Sequence, residues 1–261
     1  MVGGGGDSQE FLAFLLDYLH EDLNRVLKKP FVEAKDYDGR PDDIIAEESW
    51  NNHRLRNQST IQELTHGQFR TKYECSECKK VMIAFDPNVI VSLPIPKPED
   101  IADKSNSDPK LNIYDCLNLL TKEEKIDVDH GWYCNQCKTQ REAKKKMDIY
   151  KVPQILILHL KRAQFISWDQ AIKNTDTVDF PINGLDLSKY VLSKDKNTIY
   201  DLFAVSNHHG KTIQGSYTTF AKNPVNNNWY HFANTDVTEV KEEDIVGPDA
   251  YVLFYRKREQ N

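Results

Sequence analysis

Residues 70–80 read RTKYECSECKK and residues 131–138 read GWYCNQCK. Each holds a Cys-x-x-Cys knuckle, Cys75 with Cys78 and Cys134 with Cys137. Two such pairs are the usual donor set of a tetrahedral four-thiolate zinc site, because two intervening residues let one tight turn aim both sulfurs at a single ion. Each knuckle therefore reads as a turn between strands. Four buried free thiols, or two disulfides, are the competing reading of the same spacing. The expectation is one structural zinc on Cys75, Cys78, Cys134 and Cys137, with no open coordination position and hence no catalytic role for the metal.

The surrounding chain has the composition of a packed domain. It has 261 residues, 39% hydrophobic and 10% aromatic, enough for one large domain or two small ones. No apolar run is long enough to cross a membrane, and Met-Val-Gly-Gly-Gly-Gly is not a secretory leader. Five cysteines, four of them at metal spacing, fit a reducing compartment, cytoplasmic or nuclear. A net charge of −6 counts against nucleic acid and favours a basic protein partner.

Residues 1–6 read as a flexible leader. A first helix is expected over Ser8–Leu27, with Asp7 as cap and Glu10 completing a capping box. Phe11, Leu15, Leu19 and Leu23 form its main stripe, widened by Leu12, Leu16, Leu27 and Phe14 into an apolar arc of roughly 200°. A helix so apolar needs neighbours on two sides. A polar helix over 42–57 is anchored by Trp50. VIVSLPIP reads as a buried strand, residues 96–110 as a surface loop, and NIYDCLNLLTKEEKI as an amphipathic helix with Cys116 on its apolar side. QILILHLKR reads as a central strand, and YDLFAVSNHH, SYTTFAKN, WYHFANTDVTEV and AYVLFYRK as further strands. Asn226–Asn228 mark a hairpin turn. Lys144–Lys146 read as a solvated face.

These segments, in this order, resemble the ubiquitin-specific protease family of papain-like cysteine proteases. The matching stretches are DSQEFLAFLLDYLHEDLN, GQFRTKYECSECKK, VSLPIP, WYCNQCK, KVPQILILHLKR, DFPINGLDLSKYV, YDLFAVSNHHG, WYHF and AYVLFYRK, spanning residues 7–257. The resemblance implies an α+β fold shaped as a hand. Thumb-remnant helices would occupy 7–65, zinc-tipped β fingers 66–95 and 125–150, and a β-rich palm 151–257, all within a partial domain over 7–261 whose thumb is mostly missing. It also implies ubiquitin, or a ubiquitinated protein, as partner.

Cysteine-protease chemistry needs a thiolate, a histidine to activate it and a third group to orient that histidine. In the family the nucleophile lies upstream of DSQEF, which leaves no counterpart here. The histidine belongs to a Gly-His-Tyr triplet, where this chain has Gly215-Ser216-Tyr217. The orienting residue follows the phenylalanine of WYHF, where this chain has Ala233, with Asn234 next. Serine is no general base and alanine orients nothing. His208, His209 and His231 read as turn and surface histidines.

Two further departures touch substrate grip: Ala163 replaces an aromatic after LKR, and Lys211, Ile213 and Gln214 replace small residues. Asp7 and Glu10 are retained. The resemblance places them against the arginines near ubiquitin's C-terminus, as alternatives to helix capping, and lets Tyr217 line the tail channel or simply pack. The leading expectation is a catalytically inactive relative that binds ubiquitin or scaffolds, with a thumb-like partner over the first helix. The alternatives are a fragment of an active deubiquitinase, and a zinc-ribbon interaction module unrelated to ubiquitin.

Overall fold

The computed structural model describes residues 6–259, apart from 34, 36, 38, 98–109, 131, 166–170, 196 and 211–214. The first helix, α1 (Ser8–Asp22), starts where Asp7 accepts the amide of Gln9 at 2.8 Å. No capping box forms, and Glu10 stays exposed on the first turn. The helix ends five residues before the expected Leu27. Asn24 turns the chain aside by accepting the amides of Val26 and Gln58, while the amide of Arg25 donates to the Gln58 carbonyl. These contacts outweigh the helical pattern of Leu23 and Leu27. α2 (Asp42–Arg54) is likewise shorter than expected, and α3 (Thr60–Thr65) is capped by Ser59.

β1 (Gly67–Cys75) and β2 (Val81–Asn88) flank the first knuckle, and β5 (Trp132–Cys134) and β6 (Thr139–Arg141) flank the second. With β4 (Glu124–Ile126) and β7 (Ala143–Lys151) they build a four-stranded sheet, order β2-β1-β7-β4, and a two-stranded ribbon β5-β6. β3 (Ile90–Pro94), the end of the 66–95 span, leaves these strands and pairs in parallel with β8 (Ile155–Lys161). The expected loop over 96–110 falls almost wholly outside the described residues. α4 (Ile113–Leu120) follows it, opened by a capping box between Asn112 and Asp115.

The second sheet is larger. It includes β12 (Ile199–His209), β13 (Ser216–Lys222), β14 (Trp229–Ala233), β15 (Asp236–Val240) and β16 (Ala250–Lys257), in the order β15-β14-β13-β12-β16-β8-β3. Asn227 takes the left-handed turn position expected of the asparagine run, with φ 61°. β8 lies one strand from the edge rather than at the centre. Its apolar run, interrupted only by the buried His159, reflects burial on both faces. Leu156, Leu158 and Leu160 join the main core with Cys116 and Leu117, while Ile157 joins a second cluster with Tyr251, against which Leu12 and Leu16 of α1 pack.

That second cluster fixes the orientation of α1. Leu12 and Leu16 face the palm sheet, so Phe11, Phe14, Leu15, Tyr18, Leu19 and Leu23 are left exposed. Among the described residues no helix is long and apolar enough to cross a membrane.

Candidate functional site

The two knuckles converge from different ribbons. In the first, the Lys79 amide donates to the Cys75 carbonyl at 3.1 Å, with Lys79 at φ 61°. In the second, the Lys138 amide donates to the Cys134 carbonyl at 2.8 Å, with Lys138 at φ 58°. The repeated geometry is a turn that points both sulfurs of a pair the same way. The ribbons are joined by the Ser76 amide donating to the Glu142 carbonyl at 3.0 Å, and by Tyr73 stacked on Trp132 with ring centres 5.8 Å apart.

All four sulfurs lie within 4.8 Å of one another, and Cys78 and Cys134 are 3.5 Å apart, too far for a disulfide. A tetrahedral ion with metal–sulfur bonds of about 2.3 Å spaces its sulfurs by about 3.8 Å, so the cluster fits one. The charges agree. Burial opposes ionisation of Cys134, but the amides of Cys137 and Gln136 and the neighbouring Cys78 and Cys75 thiols bring it down to about 7. The Lys80 amide favours a Cys78 thiolate, yet desolvation and the other three sulfurs push that thiol up to about 12. Cys116 is separate: it is fully buried on α4, and desolvation raises its thiol to about 12.

The palm residues gather where α1 meets the large sheet. Asp7 uses both carboxylate oxygens internally, one for the cap and the other for the Tyr251 hydroxyl, which donates at 2.7 Å. Tyr217 is half-buried, its ring 4.9 Å from His208 and 6.3 Å from Tyr251. Asp7, Arg162, Ala163, Lys173, His208, Tyr217 and Tyr251 surround a hollow of about 30 Å³, room for a single water. Arg162 is 1% exposed and donates to the carbonyls of Ala250, Asn174 and Asp176, tying β8 to β16 and to the segment after β10 (Ala171–Lys173). Arg162 Nη2 and His208 Nε2 are buried beside the hollow without a protein partner.

Ser216 opens β13, exposed, directly across the ladder from His209. The two side chains do not pair. His209 Nδ1 faces Asp249 at 3.0 Å and Nε2 faces the Thr218 hydroxyl at 2.7 Å. Since a carboxylate only accepts, Nδ1 carries a proton, and in the neutral ring Nε2 accepts from the Thr218 hydroxyl. Asp249 also accepts from Lys173 at 3.0 Å, and although burial raises its pKa, those two partners hold the carboxyl below the usual range. His208 turns to the opposite face of the strand, packed on Tyr217.

Ala233 ends β14 opposite Asp236 and presents no polar atom. Asn234, at φ 53°, belongs to the turn into β15 and is exposed. His231 packs on Phe220 at 5.0 Å. Lys211, Ile213 and Gln214 lie outside the described residues. Lys144, Lys145 and Lys146 pair with Glu123, Glu124 and Asp148, so they form no free basic patch.

Sequence reasoning missed Tyr251 and Asp249, whose roles depend on where β16 falls in the sheet. It also missed a group formed by His20, His53, Asn57, Ser59 and His66. The histidine spacing on α1 and α2 carried no periodic signal that would have brought them together.

A family model for ubiquitin carboxyl-terminal hydrolase matches residues 5–255. The chain belongs to this family. The ubiquitin carboxyl-terminal hydrolase 2 of Gallus gallus is 39% identical over 249 residues, covering 95% of this chain and 67% of that protein. The Homo sapiens protein of the same name is 36% identical over 249 residues, covering 95% and 40%. Among solved structures, the SAGA DUB module Ubp8/Sgf11/Sus1/Sgf73 bound to monoubiquitin aligns with a TM-score of 0.70 at 24% identity, covering 99% of this chain and 50% of that one. A yeast SAGA DUBm structure aligns with a TM-score of 0.72 at 25% identity, covering 98% and 51%. The chain thus spans about half of these structures and 40–67% of the two relatives. The family membership and the α+β hand agree with the resemblance drawn from the sequence.

Proposed function

We propose that this chain is a catalytically silent ubiquitin carboxyl-terminal hydrolase that grips ubiquitin, or a ubiquitinated protein, through metal-tipped fingers and palm. One observation carries the silent reading. The position expected to hold the general base is Ser216, exposed at the start of β13, while the nearest imidazole, His209, is committed to Asp249 and Thr218. Ala233, where the orienting group belongs, has no side-chain oxygen. The other imidazole here, His208, has no protein partner on Nε2 but is buried against Tyr217 and Tyr251, on the opposite face of the strand from His209.

The donor set of four thiolates favours zinc, held by Cys75, Cys78, Cys134 and Cys137 and acting structurally by clamping the two ribbons. Ubiquitin as partner is supported by the solved SAGA DUB module bound to monoubiquitin. Glu10, exposed on the first turn of α1, is the contact available for it, whereas Asp7 is already doubly engaged and Tyr217 is met by Ser8. The exposed apolar face of α1 supports a protein partner lying over that helix in the manner of a thumb. Four thiolate ligands suit a reducing cytoplasmic or nuclear setting.

The test is hydrolysis of a fluorogenic ubiquitin C-terminal reporter by the zinc-loaded chain. No turnover is expected, with or without Ser216→Ala. Turnover above the buffer rate overturns the silent reading and returns the chain to the fragments of active deubiquitinases.

A further inference from the structure

Three histidines from three elements meet beneath the C-terminal half of α1: His20 of α1, His53 of α2 and His66, which precedes β1. They are joined through Asn57. His20 Nδ1 lies 2.7 Å from the Ser59 hydroxyl and Nε2 3.0 Å from Asn57 Oδ1. Asn57 Nδ2 lies 3.1 Å from His53 Nδ1 and 3.0 Å from the His53 carbonyl, and His53 Nε2 lies 3.0 Å from His66 Nδ1.

The direction of every bond follows from one group. The His53 carbonyl only accepts, so the Asn57 nitrogen, not its oxygen, lies on that side. That nitrogen donates to His53 Nδ1, which must be a lone pair, so the neutral His53 ring carries its proton on Nε2. That proton goes to His66 Nδ1. On the other side Asn57 Oδ1 accepts from His20 Nε2–H, and His20 Nδ1 accepts from Ser59. The array holds only while His53 and His66 are neutral. A proton added to His53 lands on Nδ1, against an Asn57 N–H. One added to His66 lands on Nδ1, against the His53 N–H.

We infer that this array is a proton-sensitive latch, which fastens the C-terminal half of α1 to α2 and β1 at neutral pH and lets it go on acidification. The packing around it favours release. A cleft of about 380 Å³ separates this part of α1 from Val89 and Ile90. The helix is under-packed there and depends on polar contacts more than on apolar ones. Asn24 and Arg25 tie the end of the helix to Arg56 and Gln58, on either side of Asn57, so the link from Asn57 to His53 and His66 serves both segments.

The charged groups lining the cleft are Asp17 and Glu21 of α1; Glu21 is paired with Lys29 and also lies 3.8 Å from His20 Nε2. Neither carboxylate is bonded to His53 or His66 among the described residues. α2 contributes Trp50, whose ring centre lies 5.7 Å from that of His53, and the strand side contributes only Val89 and Ile90. Burial, then the neighbouring His20, lowers His53 to about 4; burial, then His53 and His20, lowers His66 to about 4. Both values lie below the ordinary 6.5, so the latch is complete above pH 6.5 and weakens as the pH falls toward 4.

Hydrogen exchange on the zinc-loaded full chain at pH 7 and pH 5, corrected for intrinsic rates, tests this. Peptides from α1 report the latch, β16 reports global stability and β1 reports metal loss. Relative to β16, α1 protection should fall by up to roughly 25-fold for each histidine that becomes hydrated on opening. In Asn57→Asp the carboxylate accepts from both histidines and favours their charged forms, so the fall should vanish or reverse. His66→Gln keeps an acceptor for His53 but does not titrate, and should shrink the fall even if the aspartate variant misfolds. Parallel loss in α1 and β16, or a wild-type fall in either folded variant, overturns the latch.

Discussion

Replacing Asp7 by alanine separates a structural role from a ligand-binding one. The carboxylate caps α1 through the Gln9 amide at 2.8 Å and accepts from the Tyr251 hydroxyl at 2.7 Å. Losing an N-cap costs about 1 kcal/mol. Losing a charge-assisted bond and leaving the hydroxyl of Tyr251, which is 6% exposed, without a partner costs about 1.5–3 kcal/mol more. The total is about 2–4 kcal/mol, which lowers the Tm of a chain this long by about 5 °C, since the unfolding entropy scales with length. Asp7→Asn keeps the capping oxygen and puts an amide nitrogen, which can donate to the Tyr251 oxygen, in place of the second acceptor, and should cost less than alanine, about 1 kcal/mol. Differential scanning calorimetry of the three proteins at pH 7 measures both differences. If alanine shifts Tm by less than about 1 °C, or asparagine costs as much as alanine, the double anchoring of Asp7 is wrong.

Other outcomes follow from the same coordinates. Metal analysis should find one zinc per chain, and Cys134→Ser should lose it, loosening β1 and β7 to proteolysis while the palm sheet persists. Cys116 should resist alkylation in the folded protein at pH 8, because burial holds its thiol up at about 12, and react only on denaturation. Leu158→Ala removes a side chain with no exposure from the main core and should cost about 2–5 kcal/mol in urea unfolding.

The elements with strong local signals were legible in the sequence. The knuckle spacing anticipated a cluster that depends on two ribbons meeting, because turn geometry is local and the metal preference comes from the sulfurs. β8, β12, β13 and β16 were visible as apolar and aromatic runs, whereas WYHFANTDVTEV, read as one strand, is split by the turn at Asn234 into β14 and β15. The order of those strands was not: nothing in QILILHLKR distinguishes a strand at the centre from one beside β3, since both are buried on two faces. The end of α1 was misjudged because Leu23 and Leu27 continue the helical stripe. Asn24 stops it partly through Gln58, a partner 34 residues away. The inward face of α1 was also hidden. The apolar arc of that helix is wider than one buried face needs, and only contact with Ile157 and Tyr251 shows that Leu12 and Leu16 point inward.

The reading of Ser216 and Ala233 as the family's histidine and orienter positions came from the sequence motifs around them. What the sequence could not show is that His209 is already engaged. That engagement depends on Asp249, 40 residues further on, and on the register of β12 against β13.

The central claim is that the fingers and palm still hold ubiquitin without cleaving it. Calorimetric titration of the zinc-loaded chain with monoubiquitin tests it most directly. Saturable one-to-one binding, weakened by Glu10→Lys, is the predicted result. No heat of binding at high micromolar concentration would contradict the account, and would leave a folded relative whose partner is some other protein.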